Sequence, residues 1–415
     1  MKTLLLTNEY PPNTYGGAGV HMDYLSRELA KLMDVEVRTF GAQDATLSDG
    51  HLRVRGFPEE TSGYAAPQPL RPVFAAVSRG VDWNAAGIDA DLVHCHTWYS
   101  HMGGILAKLN YGLPLVVTVH SLEPLRPWKR EQLAGGYDFS CWVEKTALEM
   151  ADAVIAVSRE TQADILRLFD IDKARVPIIY NGIDPVEYQP ARPGDAGVRA
   201  VLQREGIKPE LPYVLFVGRI ARQKGIVHLV HAIKYLEPGF QIVLCAGAPD
   251  TPEIAAEMKA AVAAAQREHG AEGIIWIERM VDKPTVLALY AGAAVFCCPS
   301  IYEPFGIINL EAMACETAVV ASAVGGIREV VVDGETGLLV PLEQMWESPF
   351  EAAAPDRFAR DLAAAINRLM SDPSLRERMA KAGRRRAIEL FSWAAIAEQT
   401  RDLYASLLAA PSRRR

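Results

Sequence analysis

The sequence predicts an α/β protein built from two doubly wound parallel-sheet domains. Short apolar runs alternate with helix-length segments along the whole chain, a pattern typical of strand–helix–strand crossover units. Several of these runs are apolar at consecutive positions, as expected for strands that helices cover on both faces. With 415 residues, the chain is also too long for one ordinary core. We therefore expect two Rossmann-like domains that face a deep cleft.

The strand-like runs fall into two series with a break between them. The first half contains KTLLLTN, VEVRTF, LRVRGF, DLVHCH, PLVVTVH, AVIAVS and VPIIYNG, and the second half contains YVLFVGR, QIVLCAG, GIIWIE, AVFCCPS, AVVAS and TGLLVP. Proline, glycine and aspartate cluster at 181–195, which is typical of a linker. We predict an N-terminal domain at 1–182, a C-terminal domain at 183–392, and a last helix at 393–410 that returns to the N-terminal domain.

Composition and charge exclude several classes of protein. The formal net charge of −8 argues against nucleic-acid binding, which depends on Lys and Arg neutralising phosphates. The six cysteines form no CxxC pair, as expected for buried free thiols in a reducing cytoplasm. The N-terminus lacks the apolar region of a signal peptide. Pro284, Gly292 and Pro299 divide the uncharged stretch at 284–302, so we predict a short helix and a short strand there and no stable membrane association.

Most candidate functional residues follow the carboxyl ends of predicted strands. Ligands of open parallel sheets bind at that edge, where crossover loops and helix N-termini converge. The residues found there are Glu9, Gly16, Gly17 and Gly19 after the first run, His96 and His120 at the ends of two later runs, Gly218, Arg219 and Lys224 in GRIARQKG, and Glu303, Phe305, Gly306 and Glu311 in EPFGIINLE. Both halves of the chain thus direct polar groups to one edge of a sheet.

The glycine-rich turn YPPNTYGGAGVH admits two interpretations. A dinucleotide fingerprint needs a third glycine where Met22 stands, and VEVRTF ends in no acidic residue, so a nicotinamide cofactor is disfavoured. Free backbone N–H groups at a helix N-terminus would bind an anion there. Alternatively, the turn needs a glycine only because one residue adopts a positive φ. The local sequence favours neither interpretation over the other.

GRIARQKG carries two cations on one loop between a strand and a helix. Arg219 can bind a phosphate bidentately, and Lys224 can bind one as a point charge, so the pair suits a diphosphate. The alternative is two solvated surface cations. The position of the loop at the carboxyl end of a strand favours a functional role.

EPFGIINLE combines a helix start with two carboxylates. Pro304 and Gly306 fit a turn that opens a helix, so the amides of Gly306 and Ile307 can bind phosphate oxygens. Glu303 and Glu311 can accept hydrogen bonds from the hydroxyls of a sugar and a ribose. Alternatively, the two glutamates are ordinary polar residues of a helix and its flank with no functional role, and the spacing alone is compatible with that interpretation.

Two patterns that resemble metal sites are rejected. Asp89 and Asp91 in DAD precede a strand, so they lie at the edge of the sheet opposite the expected ligand edge. His94 and His96 in HCH share a strand face from which alternation excludes Cys95. No carboxylate or thiol partner is close in sequence. We therefore predict a structural role for His94 and no metal site.

Taken together, GGAGVH, HTWY, TVHSLEPLRPWK, GRIARQKG and the E-x7-E pattern of Glu303 and Glu311 resemble retaining glycosyltransferases of family four, which have the GT-B fold. Within that family the sequence is most similar to the actinobacterial-type glycogen synthases and α-maltose-1-phosphate synthases. The likeness runs from Thr7 to about Trp393. It implies that ADP-glucose donates glucose to an α-glucan or to glucose 1-phosphate, forming an α-1,4-glucosidic bond. It also implies that the reaction needs no cofactor and no metal ion.

The resemblance implies a role for each matching residue. It assigns Arg219, Lys224 and the backbone of Gly17, Gly306 and Ile307 to the donor diphosphate, Glu303 to the donor sugar and Glu311 to the ribose. Gly218, Met280 and Phe305 are assigned to the rest of the donor site. His120 would lie beside the reacting sugar and would complete a catalytic group with Arg219, Lys224 and Glu303. Glu9, His96, Arg126 and Lys129 are assigned to the acceptor.

One departure concerns positive charge near the glycine pair. Related bacterial glycogen synthases of another subgroup have a lysine two residues before that pair, whereas this chain has Thr14. Arg126, Lys129 and Arg130 in LRPWKRE could supply the missing charge, or they could bind a phosphate on the acceptor. The sequence leaves both roles open.

Other functions stay open on the sequence alone. A relative of the same family could use a UDP- or GDP-sugar and a lipid or small-molecule acceptor, but only RPWKR approaches the basic amphipathic face that a lipid surface would need. A non-catalytic protein that binds sugar nucleotides could share the fold. A phosphorolytic enzyme with pyridoxal phosphate is disfavoured because no lysine has a recognisable cofactor context. The sequence is compatible with a homodimer.

Overall fold

A computed structural model of the chain describes residues 1–14, 16–58, 67–192, 194–270, 273–346 and 350–410. Tyr15 of the glycine-rich turn lies outside the described residues. The chain divides into two compact units. The first unit comprises Met1–Gly182 and the final segment that begins at Trp393, and the second unit comprises Ile183–Ser392. The division falls inside the stretch at 181–195 that is rich in proline, glycine and aspartate.

The first unit is a doubly wound α/β structure. In chain order, it contains β1 (Lys2–Leu6), α1 (Gly17–Ala30), β2 (Asp34–Phe40), β3 (Asp44–Leu47), β4 (Leu52–Phe57), α2 (Arg71–Ala85), β5 (Leu92–His96), α3 (Trp98–Tyr111), β6 (Leu115–Val119), α4 (Lys129–Leu133), α5 (Gly136–Met150), β7 (Ala153–Ala156) and α6 (Arg159–Leu168). Within the described residues, the seven strands form one sheet in the order β3-β4-β2-β1-β5-β6-β7. Every neighbouring pair is parallel except β3 and β4.

The second unit repeats the plan with a parallel sheet. It contains α7 (Ala196–Arg204), β8 (Tyr213–Arg219), α8 (Ile226–Ala232), β9 (Gln241–Gly247), α9 (Pro252–His269), β10 (Ile274–Ile277), α10 (Lys283–Gly292), β11 (Val295–Cys298), α11 (Ile307–Ala314), β12 (Ala318–Ser322), α12 (Ile327–Val330), β13 (Gly337–Val340), α13 (Pro355–Ser371) and α14 (Pro373–Leu390). Its six described strands follow the order β10-β9-β8-β11-β12-β13, and every pair is parallel. The last helix in the described part of the chain is α15 (Trp393–Ala409).

Burial on both faces of the strands explains their apolar sequences. In β1, Leu4 and Leu6 belong to one core cluster, whereas Leu5 lies in the cluster on the other face of the sheet. Trp393 and Tyr404 of α15 pack in the same cluster as Leu5. Full burial of side chains of this size contributes about 1.5–3 kcal/mol each. The last helix is therefore held to the first unit by its apolar face.

The strand order reverses at one point in each sheet. This switch point lies between β1 and β5 in the first unit and between β8 and β11 in the second. Loops on the two sides of a switch point diverge and leave a crevice at the carboxyl ends of the strands, where open α/β sheets bind their ligands. The fold therefore gives each unit one favoured place for polar functional residues.

The structure corrects three details of the predicted elements. VPIIYNG is not a strand, because Pro177 has no N–H to donate to a ladder and only an isolated bridge joins Ala156 to Ile178. The sequence analysis did not identify β3, a short edge strand with little apolar character, or α14.

The uncharged stretch at 284–302 is a helix and a strand, as predicted. In the described parts of the chain, every helix is too short or too polar to span a membrane.

Candidate functional site

An ion pair lies at the switch point of the second unit. After β8, a 3₁₀ turn at Arg222–Lys224 is followed by Gly225 with a φ of +60°. This turn places the Lys224 Nζ 2.7 Å from the Oε2 of Glu303. Glu303 lies on the loop that follows β11. The side chains are 16% and 11% exposed, so the pair is largely shielded from water. Two residues separated by 79 positions in sequence thus meet where the fold favours a ligand.

Backbone contacts fix the two loops that carry this pair. The Ile301 N–H donates a hydrogen bond of 2.9 Å to the Gln223 carbonyl. A Cβ atom on Gly225 would lie 2.0 Å from the Pro299 carbonyl oxygen, so only glycine permits the observed approach. The separation of Lys224 and Glu303 therefore depends on the backbone as well as on their mutual attraction.

Glu303 is held from its other side by a turn that follows β12. Gly325 has a φ of +50°, and a Cβ there would lie 2.1 Å from the Glu303 carbonyl oxygen. The Gly326 N–H donates to the same oxygen at 3.0 Å, and the Ser300 hydroxyl donates to the Glu303 carboxylate at 3.2 Å. The sequence analysis missed both glycines. The signal was present, since the pair follows the carboxyl end of a buried strand.

Arg219 is paired with an acidic residue that the sequence analysis also missed. Its Nη1 donates to the Asp250 Oδ1 in a close ion pair. Asp250 lies three residues beyond the end of β9, the strand next to β8. Gly218 precedes Arg219, and a Cβ there would lie 4.0 Å from the Lys224 Cγ. The structure therefore brings Gly218 and Lys224 together and gives Arg219 a fixed carboxylate partner.

Glu311 is enclosed by two tyrosines. The Tyr188 hydroxyl donates to one carboxylate oxygen at 3.0 Å, and the Tyr290 hydroxyl donates to the other at 2.9 Å. Burial raises the pKa of Glu311, although both hydrogen bonds and the charge of Lys224 oppose this shift. Each carboxylate oxygen can still accept a second hydrogen bond. The carboxylate of Glu311 is thus held in one orientation as a hydrogen-bond acceptor, and the positive charge of Lys224 favours its ionised form.

The remaining predicted donor residues occupy three settings in the second unit. Gly306 has a φ of +100° and immediately precedes Ile307, the first residue of α11, so the predicted turn and helix start are confirmed. The Phe305 side chain is buried and packs against Phe391, with ring centres 5.8 Å apart. Met280 follows β10 and is 60% exposed. The side chain of Phe305 is therefore part of the packing of the second unit.

In the first unit, a carboxylate occupies the N-terminal end of α1. The Gly16 N–H donates to the Glu9 Oε2 at 2.7 Å, and Gly17 is the first helical residue. Gly16 has a φ of −153°, and neither Gly17 nor Gly19 has a positive φ. A Cβ on Gly19 would lie 3.0 Å from the same Glu9 oxygen. The glycines therefore permit close approach of an anion to the helix end and do not serve a positive-φ turn.

A cluster of histidines lies beside the switch point of the first unit. The His96 Nδ1 and the His120 Nε2 are 3.0 Å apart. The His21 ring lies 4.7 Å from the His120 ring and 5.2 Å from the His96 ring, measured between centres. Burial lowers the pKa of His21 to about 4 and holds the pKa values of His96 and His120 well below the usual range. The structure brings two predicted residues together and adds His21, which sequence reasoning missed.

The three cations of LRPWKRE separate in the structure. Arg126 donates from Nη1 to the Ser121 hydroxyl at 2.9 Å and forms an ion pair with Glu123 at 3.4 Å. Arg130 instead forms a bidentate pair with Asp138 at the surface. Lys129 is the first residue of α4. Of the two arginines, only Arg126 is tied to the residue that follows His120.

Asp89, Asp91 and His94 of the two rejected metal patterns have structural partners. Asp89 and Asp91 accept hydrogen bonds from the side chain and the backbone of Lys2, at the amino edge of the sheet as predicted. His94 is bonded at both ring nitrogens, to Tyr404 at 2.6 Å and to Thr118 at 2.7 Å, so its predicted structural role is confirmed. The six cysteines are free thiols, and all except Cys141 are buried.

Comparisons with known proteins identify the family of the chain. Residues 15–187 match the family model "Glycosyltransferase Family 4", and residues 199–386 match the model "Glycosyl transferases group 1". The chain is 47% identical to an alpha-maltose-1-phosphate synthase of Mycolicibacterium smegmatis over 97% of its own length and 99% of that protein. It is also 47% identical to the alpha-maltose-1-phosphate synthase of Mycobacterium tuberculosis, over 99% of its own length and the whole of that protein.

A solved structure supports the same fold. The sucrose-phosphate synthase of Thermosynechococcus elongatus is 28% identical to this chain and superposes with a TM-score of 0.78, covering 99% of this chain and 100% of that one. The predicted fold class, with two parallel-sheet domains of the GT-B type, is therefore confirmed. With 47% identity to its relatives over almost the full length, the chain belongs to glycosyltransferase family 4 and is a hexosyltransferase.

Proposed function

We propose that the protein is a retaining glucosyltransferase that moves glucose from ADP-glucose to the 4-hydroxyl of glucose 1-phosphate, releasing ADP and α-maltose 1-phosphate. The proposal is supported by the two relatives named alpha-maltose-1-phosphate synthase. The observation that carries it is the pairing of Lys224 with Glu303 at the switch point of the second unit. The acceptor side of the reaction is assigned to the first unit.

Lys224 and Arg219 stabilise the leaving diphosphate. Cleavage of the bond between the anomeric carbon and the diphosphate develops negative charge on the leaving group. Fixed cations in a site of restricted water access stabilise such charge without reorganising during the reaction. The ammonium of Lys224 has three N–H donors and can contact the diphosphate while it keeps Glu303 as a partner. We propose that these groups remove the need for a metal ion.

Glu303 and Glu311 bind the two hydroxyl-bearing parts of the donor. The carboxylate of Glu303 lies next to the leaving-group cation, so it is assigned to hydroxyls of the transferred glucose. Glu311 lies farther along, on the buried side of α11, and is assigned to the ribose. Tyr188 and Tyr290 orient its carboxylate by one hydrogen bond each. Backbone groups near Met280 are assigned to the adenine.

The first unit supplies the acceptor contacts. We assign His120 to the reacting sugar and His96 and Glu9 to acceptor hydroxyls. Arg126 is assigned to the acceptor phosphate, because its guanidinium lies next to Ser121, the residue that follows His120. Arg130 is removed from this proposal since Asp138 already binds it bidentately. Because the net charge of the chain is −8, a phosphorylated acceptor needs a local cation for binding, and Arg126 is assigned to supply it.

The stereochemistry follows from attack on the face from which the diphosphate departs. The acceptor oxygen forms a bond to the anomeric carbon as the bond to the diphosphate oxygen breaks. The acceptor proton passes to the departing phosphate oxygen, so charge and atoms balance without a protein nucleophile. Retention of the α configuration results. We place this activity in the cytoplasm, because the six cysteines are free thiols, which are typical of a reducing compartment.

The proposal is tested by the choice of donor and acceptor. Purified protein is mixed with ADP-glucose or UDP-glucose, each with glucose 1-phosphate, with glucose, or with neither, and nucleoside diphosphate release is followed. We expect rapid ADP release that requires glucose 1-phosphate and is unaffected by EDTA. Rapid release from UDP-glucose, or equal rates with glucose and glucose 1-phosphate, would contradict the assigned donor or the assigned role of the acceptor phosphate.

A further inference from the structure

Three imidazoles of the first unit surround one point. A single ring nitrogen from each of His21, His96 and His120 lies within 4.8 Å of the other two. Their ring centres are 5.2, 4.7 and 5.3 Å apart. Three imidazoles on one tetrahedral ion, each with its nitrogen ~2 Å from the metal, have ring centres about 5 Å apart. We propose that His21, His96 and His120 form a binding site for a divalent transition-metal ion such as Zn²⁺.

The distance between two of the ring nitrogens is close to the value that a bound ion requires. The His96 Nδ1 and the His120 Nε2 are 3.0 Å apart. Two nitrogens bound to the same tetrahedral ion lie about 3.3 Å apart. The two rings therefore already have nearly the spacing that the ion requires. A bound ion replaces the proton that the two nitrogens share in its absence.

His21 has the environment of a metal ligand with an oriented ring. Its Nδ1 lies 2.6 Å from the Asn181 Oδ1, which can only accept, so Nδ1 carries the proton. Its Nε2 therefore presents a lone pair. Among the described residues this atom is buried and has no hydrogen-bond partner. Metal-bound histidines commonly donate the second ring N–H to an oxygen acceptor in the same way.

The surroundings indicate which ions the site would accept. Imidazole ligands suit Zn²⁺, Ni²⁺ and Cu²⁺, whereas Mg²⁺ and Ca²⁺ require oxygen ligands. His94 is adjacent, but Tyr404 and Thr118 occupy both of its ring nitrogens, so it is excluded as the fourth ligand. The fourth position of a tetrahedral ion would be open to water or to a substrate hydroxyl.

The site is independent of the proposed transfer reaction. It requires only the three imidazoles, and it would exist if the donor or acceptor were different. Where the proposed function holds, the ion occupies nitrogens of His96 and His120 that the substrates are expected to use. Micromolar Zn²⁺ would then inhibit transfer, and a chelator would restore it. Binding itself is measured without any substrate, so failure of one proposal is distinguishable from failure of the other.

The test is direct binding of Co²⁺ and Zn²⁺ to untagged, metal-free full-length protein. Co²⁺ is titrated while its visible ligand-field absorption is recorded, and Zn²⁺ affinity is measured by competition with a chromogenic chelator. The variants are His21→Ala, which removes a ligand, and Asn181→Ala, which removes the oxygen that orients His21. His51→Ala is the control, because His51 lies at the surface and pairs with Asp34.

We expect one tetrahedral Co²⁺ per chain in the wild-type protein and in His51→Ala. Loss of the orienting oxygen in Asn181→Ala should weaken Zn²⁺ binding about 10- to 100-fold, and loss of the ligand in His21→Ala should weaken it further. Equal affinity in wild-type and His21→Ala protein would overturn the proposal, as would the absence of stoichiometric binding. If His21→Ala does not fold, X-ray absorption of the wild-type Zn²⁺ form decides, since three imidazoles support the site and two or fewer refute it.

Discussion

Lys224 and Glu303 form an ion pair of 2.7 Å that joins the loops after β8 and β11. The two strands are neighbours in the sheet, although two other strands, β9 and β10, lie between them in sequence. The backbone at Gly225 lies against the carbonyl oxygen of Pro299, and the backbone at Gly325 lies against that of Glu303. Backbone packing therefore fixes the positions of Lys224 and Glu303. The proposed transfer reaction depends on this relationship, since it sets a cation for the leaving group beside a carboxylate for the sugar.

Removal of the ammonium should affect turnover most strongly. By analogy with the loss of an oxyanion-hole donor, Lys224→Ala should lower kcat about 10²- to 10³-fold. Arg222→Ala removes a cation from the same 3₁₀ turn, but Arg222 lies 3.9 Å from Glu257 and has no assigned contact with the donor. It should retain kcat within about threefold. ADP release at saturating ADP-glucose measures both variants, and near-normal kcat in folded Lys224→Ala protein would refute the assignment.

A methyl group at Gly325 should displace Glu303. Gly325 and Gly334 both have positive φ, so alanine strains the backbone at either position. At Gly325 the new Cβ would also lie 2.1 Å from the Glu303 carbonyl oxygen, whereas at Gly334 it would meet nothing within 4 Å. Gly325→Ala should therefore lower kcat/KM for ADP-glucose at least about tenfold more than Gly334→Ala. Equal losses in the two variants would show that Gly325 does not position Glu303.

The buried carboxyl group of Glu311 should make stability depend on pH. Burial raises its pKa above the ordinary value of 4.5, so ionisation costs the folded state more than the unfolded state. Below pH 4.5, Glu311 is protonated in both the folded and the unfolded state, so its burial carries no cost of ionisation. As pH rises towards and through the raised pKa of the folded state, this cost appears and the free energy of unfolding falls. Glu311→Gln removes this effect, so the free energy of unfolding of the variant minus that of the wild type should increase with pH across this window.

Urea unfolding of both proteins at several pH values measures this difference. Glu335→Gln, on the exposed turn before β13, controls for the removal of one negative charge. A difference between Glu311→Gln and wild-type protein that is constant from pH 4.5 to neutral pH would contradict the assigned cause.

The two arginines of LRPWKRE should differ in their effect on the acceptor. Arg126→Ala removes the guanidinium assigned to the acceptor phosphate, so KM for glucose 1-phosphate should rise about tenfold or more while KM for ADP-glucose changes little. Arg130→Ala removes a surface pair with Asp138, and exposed pairs contribute little. Initial rates at varied glucose 1-phosphate compare the variants. Equal KM values in Arg126→Ala and wild-type protein would remove Arg126 from the acceptor site.

The sequence predicts most of the sheet and the edge where the functional residues lie. Buried strands of parallel sheets have continuous apolar runs, so twelve of the thirteen described strands could be identified and their carboxyl ends located. β3 lacks such a run, because it is a short edge strand with exposed side chains. VPIIYNG has one but does not pair as a strand, since Pro177 interrupts the ladder. Apolar patterning thus predicts burial more reliably than it predicts pairing.

The partners of the functional residues could not be predicted in the same way. Asp250 meets Arg219 because β9 lies beside β8, and His21 meets His120 because α1 packs near the ends of β5 and β6. Such contacts depend on strand order and on the direction in which a helix crosses the sheet. A single sequence contains no local signal for either. Residue types at strand ends were therefore predictable, whereas the pairs that they form were not.

The identity of the product tests the central claim most directly. Purified protein is incubated with ADP-glucose and either glucose 1-phosphate or glycogen, and the products are separated and analysed by NMR spectroscopy and mass spectrometry. We predict α-maltose 1-phosphate and ADP in equal amounts with glucose 1-phosphate, and at most slow ADP release with glycogen. Elongation of glycogen together with no phosphorylated disaccharide from glucose 1-phosphate would contradict the account.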